Sequence, residues 1–406
     1  MTDAPRPPLA ALADPGVRPD PYPVLARLRE ASPFAEAGGA LVVTGRHEEC
    51  SAILRDPRAS SERNRSLLSP PGLSEQRGPS FLSLDPPDHT RLRRLVSQAF
   101  APRVIARLAP RIGEICRVLL TAAGPDGAAG QIEVVSQLAY PLPVRIICEL
   151  LGVPSADHAR FAGWSASLAH SLQPRFTGPD PGLAARAEQA RAEFAAYFLE
   201  LIAARRARPG DDLLSGLIRA EEDGQRLSEP ELIATCVLLL VAGHETTVGL
   251  ISNAVLALLR HPDQLAALRA DPGLAAGAVE ETLRYDAPVQ ITGRVARGGL
   301  RVGDLGVADG AVLMLLLAAA GRDPAVFTDP DRFDIRRPPG PHLAFAAGPH
   351  YCLGAALARL EGAIALREFA ARVAGPELDP AGLAYKPNLN LRGPERLVVR
   401  FAGIKP

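Results

Sequence analysis

Lysine is almost missing from this chain. Of 45 basic side chains in 406 residues, only Lys386 and Lys405 are lysines; the rest are arginine, in a background rich in alanine and proline, which points to a GC-rich bacterial genome. An excess of one charge is missing too: 45 acidic groups balance the 45 basic ones. With no global field, a nucleic acid or an anionic membrane is not an expected partner, and any charged partner must meet a local patch. Cysteine is sparse. Cys50, Cys116, Cys148, Cys236 and Cys352 show no CxxC or CxxH spacing, and an odd number cannot pair completely, so a reducing cytosol is expected. The opening MTDAPRPPLAALADPG has neither the basic nor the apolar region of a signal peptide, and no export is expected from it. Uninterrupted apolar runs, VLLLVAG near residue 240 and AVLMLLLAAA from Ala311, reach about half of the ~20 residues that a spanning helix needs. A soluble, cytoplasmic protein is the expectation. Repeats and long linkers are also missing, and the proline- and glycine-rich pieces at 57–87, 178–182 and 336–341 are short enough to be loops, so residues 1–406 read as one domain.

Helical periodicity dominates what is present. Apolar residues recur every three to four positions through DPYPVLARLREA, PRVIARLAPRIGEICRVLLTAAG, LPVRIICELLG and AVEETLRYD. Period-two stretches are few: ALVVTG, QITGRVA, GAVLMLLL and ERLVVRF. The fold class is therefore mainly α with a small β portion. From Ser228 to His261 one helix is expected, with Ser228 and Glu231 as a capping box and Pro230 in the first turn. It is apolar nearly all round before its middle, yet carries Gly243, Glu245, Thr246 and Thr247, a glycine that weakens the helix and hydroxyls able to bond back to carbonyls. An acid and two hydroxyls in a buried helix suggest function.

Four short constellations carry chemistry. FAAGPHYCLG (345–354) sets Cys352 among small residues, where backbone N–H groups can face a thiolate and a large planar group can approach; the ordinary fate of a lone cysteine, a buried structural thiol, suits the other four. EETLRYD (280–286) puts Glu281 and Arg284 on one helix face, a pair that elsewhere is a plain surface ion pair. AGHETT (242–247) supplies the acid and alcohol. DPPDHTRLRRLV (85–96) places His89 and Arg93 four apart, a spacing shared with solvated basic stripes.

In this order and spacing the four resemble the motifs of the cytochrome P-450 superfamily, over residues 85 to 354, with weaker likenesses in DPYPVLARLREA and AGRDPAVFTDPDRFD. The resemblance implies the single-domain P-450 fold, with haem between the long helix and the cysteine loop. It implies Cys352 as axial thiolate of haem iron; His89, Arg93, Arg294 and His350 on the haem propionates; and Phe345, Gly348, Gly354 and Ala242 against the haem. Glu281, Arg284 and Arg332 (in PDRF) would lock the region structurally, while Glu245 and Thr246 would deliver protons to iron-bound dioxygen, with His244 facing away. By family position the substrate pocket would comprise Leu82, Leu238, Val241, Gln290, Ile291, Leu389 and Leu391, with Gln290 able to bond one polar group.

The activity so implied is mono-oxygenation of an apolar small molecule of macrolide, steroid, terpenoid or fatty-acid type, using haem b and dioxygen. No flavin or iron–sulfur domain is evident, so electrons would come from NAD(P)H through a separate ferredoxin and ferredoxin reductase, which Arg91, Arg94, Arg103 and Arg359 would help to dock on a monomeric enzyme. Two rivals stand beside this: a non-catalytic binding or recruitment protein of the same fold, and a peroxide-driven hydroxylase that would not need the acid–alcohol pair. The loops expected to select the substrate are 60–83 and 169–182.

Overall fold

The computed structural model describes residues 8–68, 80–124, 128–171, 181–222 and 225–405; the middle of each expected substrate loop, 69–79 and 172–180, lies outside them. The long helix runs Glu229–Arg260, 32 residues, and starts at the capping box: the Ser228 N–H donates to Glu231 Oε2 at 2.8 Å. Its C-terminal half is buried on every side, including Val248, Leu250, Ile251, Val255 and Leu258. This helix is long and apolar enough to cross a membrane, with a mean hydropathy of 1.6 over its most apolar window. Reading uninterrupted runs missed that, because the glycine, acid and threonines break the run. In the fold 56% of that window is buried, and the helix packs on Pro141–Leu150, Ala275–Tyr285 and Ala355–Arg372. Each large side chain so buried contributes about 1.5–3 kcal/mol.

Three of the four period-two stretches meet in one sheet. Leu41–Thr44 pairs in parallel with Val312–Leu315, which pairs antiparallel with Thr292–Ala296; Phe34–Glu36 and Ala59–Ser60 form the edges. Its register puts Arg294 opposite Leu313. The fourth stretch lies in Pro394–Phe401, between Glu377–Tyr385 and Gly130–Glu133.

One core residue is chemically out of place. Glu361, on Ala355–Arg372, is 2% exposed, and its Oε2 has no hydrogen-bond partner among the described residues. Burial pushes its carboxyl up to about 8. Between about pH 4.5 and 8 the folded chain therefore holds a proton that the unfolded chain has released, so stability falls as pH rises through this window. Glu361→Gln, neutral throughout, is expected to gain stability over the parent by up to about 1.4 kcal/mol per pH unit across it, with no pH-dependent gain below it. Urea midpoints at pH 5, 6.5 and 8 check this; a pH-independent difference sinks it.

Candidate active site

The cysteine loop is closed by its own backbone, since the Cys352 N–H donates to the Phe345 carbonyl at 3.0 Å. Gly348 takes φ +69°, and a Cβ there would lie 2.3 Å from the Leu54 carbonyl oxygen. Gly348 is thus dictated by close packing on the end of helix His47–Arg55, not by room for a ligand, and it does not line the cavity described below. Gly354 is different: a Cβ would meet nothing within 4 Å, and the residue does line the cavity. Burial pushes the Cys352 thiol up, while a hydrogen bond from the Gly354 N–H and the charges of Arg93 and Arg359 pull it back only in part. A metal cation at the sulfur would favour the thiolate directly.

Facing the loop across a cavity of about 250 Å³ is the long helix, through Leu238, Ala242 and Thr246. These stand four apart, on one stripe. Thr246 Oγ1 donates to the Ala242 carbonyl at 2.8 Å and Thr247 Oγ1 to the Gly243 carbonyl at 2.9 Å, the back-bonding expected of mid-helix threonines. Glu245 lies off this stripe. Its Oε2 accepts from Lys386 Nζ at 2.8 Å, and its Oε1 is 3.5 Å from His244 Nε2. Burial alone would raise the Glu245 carboxyl, but His244 and Lys386 outweigh it and hold the group down at about 2. His244 is buried, 2.9 Å from the Leu240 carbonyl through Nδ1, and does not line the cavity.

Four donors gather at one edge. The rings of His89 and His350 lie 4.1 Å apart; Arg93 donates to the Tyr351 carbonyl at 2.6 Å; Arg294 comes from the sheet and donates to its neighbour Gly293 at 2.9 Å. Burial, then the charges of His89, Arg294 and Arg93, drives His350 down to about 3, and burial with Arg63 lowers Arg294 to about 10. Neither ring nitrogen of His89 has a partner among the described residues. The carboxylate that these groups feel is Asp85, whose oxygens already serve the Ser60 hydroxyl at 2.5 Å, the Ser61 N–H at 2.8 Å and Arg297 at 3.4 Å. Two buried donors, His89 and Arg294, and two partly buried ones, Arg93 and His350, fit a ligand that brings two carboxylates. Among the described residues there is also no group of three His, Cys, Asp or Glu able to hold a bare ion, so a metal bound at Cys352 would need its other ligands from a macrocycle. The residues fit haem.

The structural lock departs from its expected membership. Arg284 donates to both carboxylate oxygens of Glu281 at 2.8 Å, with both side chains buried. The second arginine on Glu281 is Arg337, at 3.2 Å, rather than Arg332. Arg332 sits in a turn with its side chain 65% exposed toward Asp334; it supplies only its carbonyl, which accepts from Arg284 at 3.0 Å and Arg337 at 3.1 Å. Neighbouring Glu280 was not singled out by the sequence. It accepts from Arg359 at 2.6 Å and lies 3.1 Å from His342 Nε2, tying the helix Ala275–Tyr285 to both flanks of the cysteine loop.

Pocket positions divide. Leu82 and Leu238 line the cavity, whereas Val241 is turned into the core on the other side of its helix. Gln290, Ile291 and Leu389 line a separate cleft of about 40 Å³, and Leu391 is bridged to Val289; neither group lines the cavity. Val289 and Thr292 line it instead; the regular strand begins only at Thr292, so residues 289–291 ahead of it do not alternate strictly. Gln290 is spent within the fold, donating to the Ala287 carbonyl at 2.6 Å.

A lone, partly buried thiol on the cavity wall, an acid–alcohol helix across the cavity from it and donors awaiting two carboxylates define a haem-thiolate oxygenase. Comparison with known proteins agrees. The family model "Cytochrome P450" matches residues 38–272 and 274–369. Cytochrome P450 107B1 of Saccharopolyspora erythraea is 45% identical over 372 residues, covering 87% of this chain and 88% of that protein. The 6-deoxyerythronolide B hydroxylase of the same organism is 38% identical over 406 residues, 95% and 96% of the two chains. The ligand-free crystal structure of CYP164A2 from Mycobacterium smegmatis superposes with a TM-score of 0.88 at 47% identity, over 96% of this chain and 98% of that one. The chain belongs to the cytochrome P450 family, and it is a P450 mono-oxygenase.

Proposed function

We propose that residues 1–406 form one cytoplasmic, monomeric domain that binds haem b and inserts an oxygen atom from dioxygen into a largely apolar small molecule, of macrolide, steroid, terpenoid or fatty-acid type. Electrons would come from NAD(P)H through a separate ferredoxin and its reductase. The observation that carries the reading is that Cys352 and Thr246 line one cavity from opposite sides. The macrolide-like end of the substrate range is supported by the hydroxylase relative and by aliphatic walls of Leu238, Leu250, Val289 and Leu317. Thr292 offers the substrate a hydroxyl that Gln290 does not.

When bound, haem supplies dioxygen activation and the oxidising equivalent. Cys352 would hold the iron by its thiolate, with the Gly354 N–H bonded to the sulfur. His89, Arg93, Arg294 and His350 would orient the group through its carboxylates and offset their charge. Thr246 would give up its helix bond to Ala242 to hold a proton donor in the cavity, with Glu245 as the source that recharges it.

The test is a screen of apolar compounds for the ferric spin-state shift, followed by turnover with surrogate ferredoxin and reductase. Thr246→Ala is expected to keep the spin shift and lose product by about 10²-fold, the lower end of what a positioned proton donor contributes, with electrons diverted to hydrogen peroxide. Unchanged coupling in this variant would favour the peroxide-driven alternative.

A further inference from the structure

The cleft that took Gln290, Ile291 and Leu389 out of the substrate pocket has donors that the fold does not use. Its wall includes Arg18, Tyr385, Lys386, Asn388 and Arg392, and no aspartate or glutamate lines it. Two of the three cations are committed elsewhere. Arg392 Nε donates to Asp286 Oδ1 at 2.6 Å, and Lys386 Nζ to Glu245 Oε2 at 2.8 Å. Arg18, a few residues ahead of the helix Tyr22–Ala31, is partly buried, and its guanidinium has no acceptor among the described residues. The Tyr385 hydroxyl is buried and also has no hydrogen-bond partner among the described residues. A buried hydroxyl left in that state costs about 1–3 kcal/mol, a penalty that a ligand accepting its hydrogen bond would remove. Asn388 gives its side-chain carbonyl to the N–H groups of Asn390 and Leu391, both at 2.9 Å, which leaves its amide N–H groups to donate. Leu12, Leu25, Ile291 and Leu389 make the rest of the wall apolar. The cleft holds about 40 Å³, against the about 10–15 Å³ that one water needs.

We propose that this cleft binds a short-chain aliphatic carboxylate, and that the bound acid steadies the wall of the substrate pocket from behind. One uncommitted cation and no lining acid match a single negative charge. The guanidinium and the phenol give that charge two kinds of donor, and the aliphatic side chains cover a short carbon chain. The volume is too small for a macrolide, a steroid or a long fatty acid, so the occupant is a different molecule from the substrate. Coupling comes from the shared wall. Gln290 and Ile291 line the cleft, while Val289 and Thr292, on either side of them in sequence, line the cavity with Cys352 and Thr246. The same segment is tied to the chain that carries Asn388: the Gln290 N–H donates to the Asn390 carbonyl at 2.9 Å, and Val289 is bridged to Leu391. A ligand held by Arg18, Tyr385 and Asn388 therefore fixes this join. A wall already held in place costs an apolar compound less to settle against, so the acid and the compound strengthen each other's binding by the same factor.

The experiment uses the haem-loaded protein with butyrate as probe, beside butyramide, its uncharged counterpart, and octanoate. Calorimetry is expected to show one butyrate site per chain. Tyr385→Phe should weaken it about ten-fold or more, as losing one hydrogen bond to a charged group does, and Arg18→Gln should do the same. Saturating butyrate should lower the midpoint of the spin-state shift caused by an apolar compound about five-fold, the low end of ordinary coupling between sites, and Tyr385→Phe should remove that effect. Butyramide binding as tightly as butyrate would overturn the carboxylate, and octanoate binding there as tightly would overturn the short chain. Butyrate affinity unchanged in both variants, or butyrate shifting the spin state by itself, would overturn the site; a midpoint that butyrate does not move would overturn the coupling. All of these outcomes leave the thiolate CO band in place, so they are distinguishable from failure of the haem-thiolate reading, which removes that band.

Discussion

Glu281→Ala is expected to cost about 3–5 kcal/mol and to leave little haem-loaded protein, because it strands the buried Arg284 and the partly buried Arg337 without their counter-charge. Glu281 is 3% exposed and accepts from Arg284 twice at 2.8 Å, from Arg337 at 3.2 Å and from the Asp334 N–H at 2.9 Å. Arg284 in turn donates to the carbonyls of Gly321, Pro330 and Arg332, stitching down the chain that leads to the cysteine loop. A loss of that size is a large part of the 5–15 kcal/mol that holds an ordinary domain together. The same measurement tests the reassigned third member. Arg337→Ala should lower the urea midpoint clearly, whereas Arg332→Ala, which removes an exposed side chain and keeps its carbonyl, should stay within about 0.5 kcal/mol of the parent. Equal costs for the two would refute the assignment.

Which residues the sequence made legible follows a physical rule. Residues fixed by local geometry were readable: Glu281 and Arg284 three apart, Leu238, Ala242 and Thr246 on one stripe, the Ser228–Glu231 cap. Partners joined only by the tertiary fold were not. Arg337 reaches Glu281 from 56 positions away and Lys386 reaches Glu245 from 141, and nothing in the local sequence of either marks it. Gln290 and Ile291 were chosen for the pocket over Val289 and Thr292 because the residues just ahead of the strand Thr292–Ala296 follow no regular alternation that a sequence pattern could reveal. Gly348 was legible as an obligatory glycine, but its reason, the Leu54 carbonyl at 2.3 Å from a would-be Cβ, belongs to a helix some three hundred residues earlier.

Cys352→Ser is expected to abolish the red-shifted Soret band of the CO-bound ferrous protein and to reduce coupled turnover by more than the about 10²–10³-fold typical of losing one transition-state donor. The hydroxyl replaces sulfur in a site where burial already opposes a negative charge, and an alkoxide is far harder to form there than a thiolate. The loop itself should survive. Its closure uses the residue 352 N–H and the Phe345 carbonyl, and Gly348 and the Glu280–Arg359 bond are untouched. Stability of the haem-free protein is therefore expected to change little, which separates loss of a ligand from loss of the fold. Cys148→Ser is the matched control: that thiol is fully buried in the apolar core and pushed up to about 12, so the change is expected to cost stability and leave the band in place. If Cys352→Ser retained the band, the sulfur on the iron would have to come from elsewhere. The other four cysteines are buried and none lines the cavity, so retention would remove the basis for assigning a metal to the cavity that Thr246 lines.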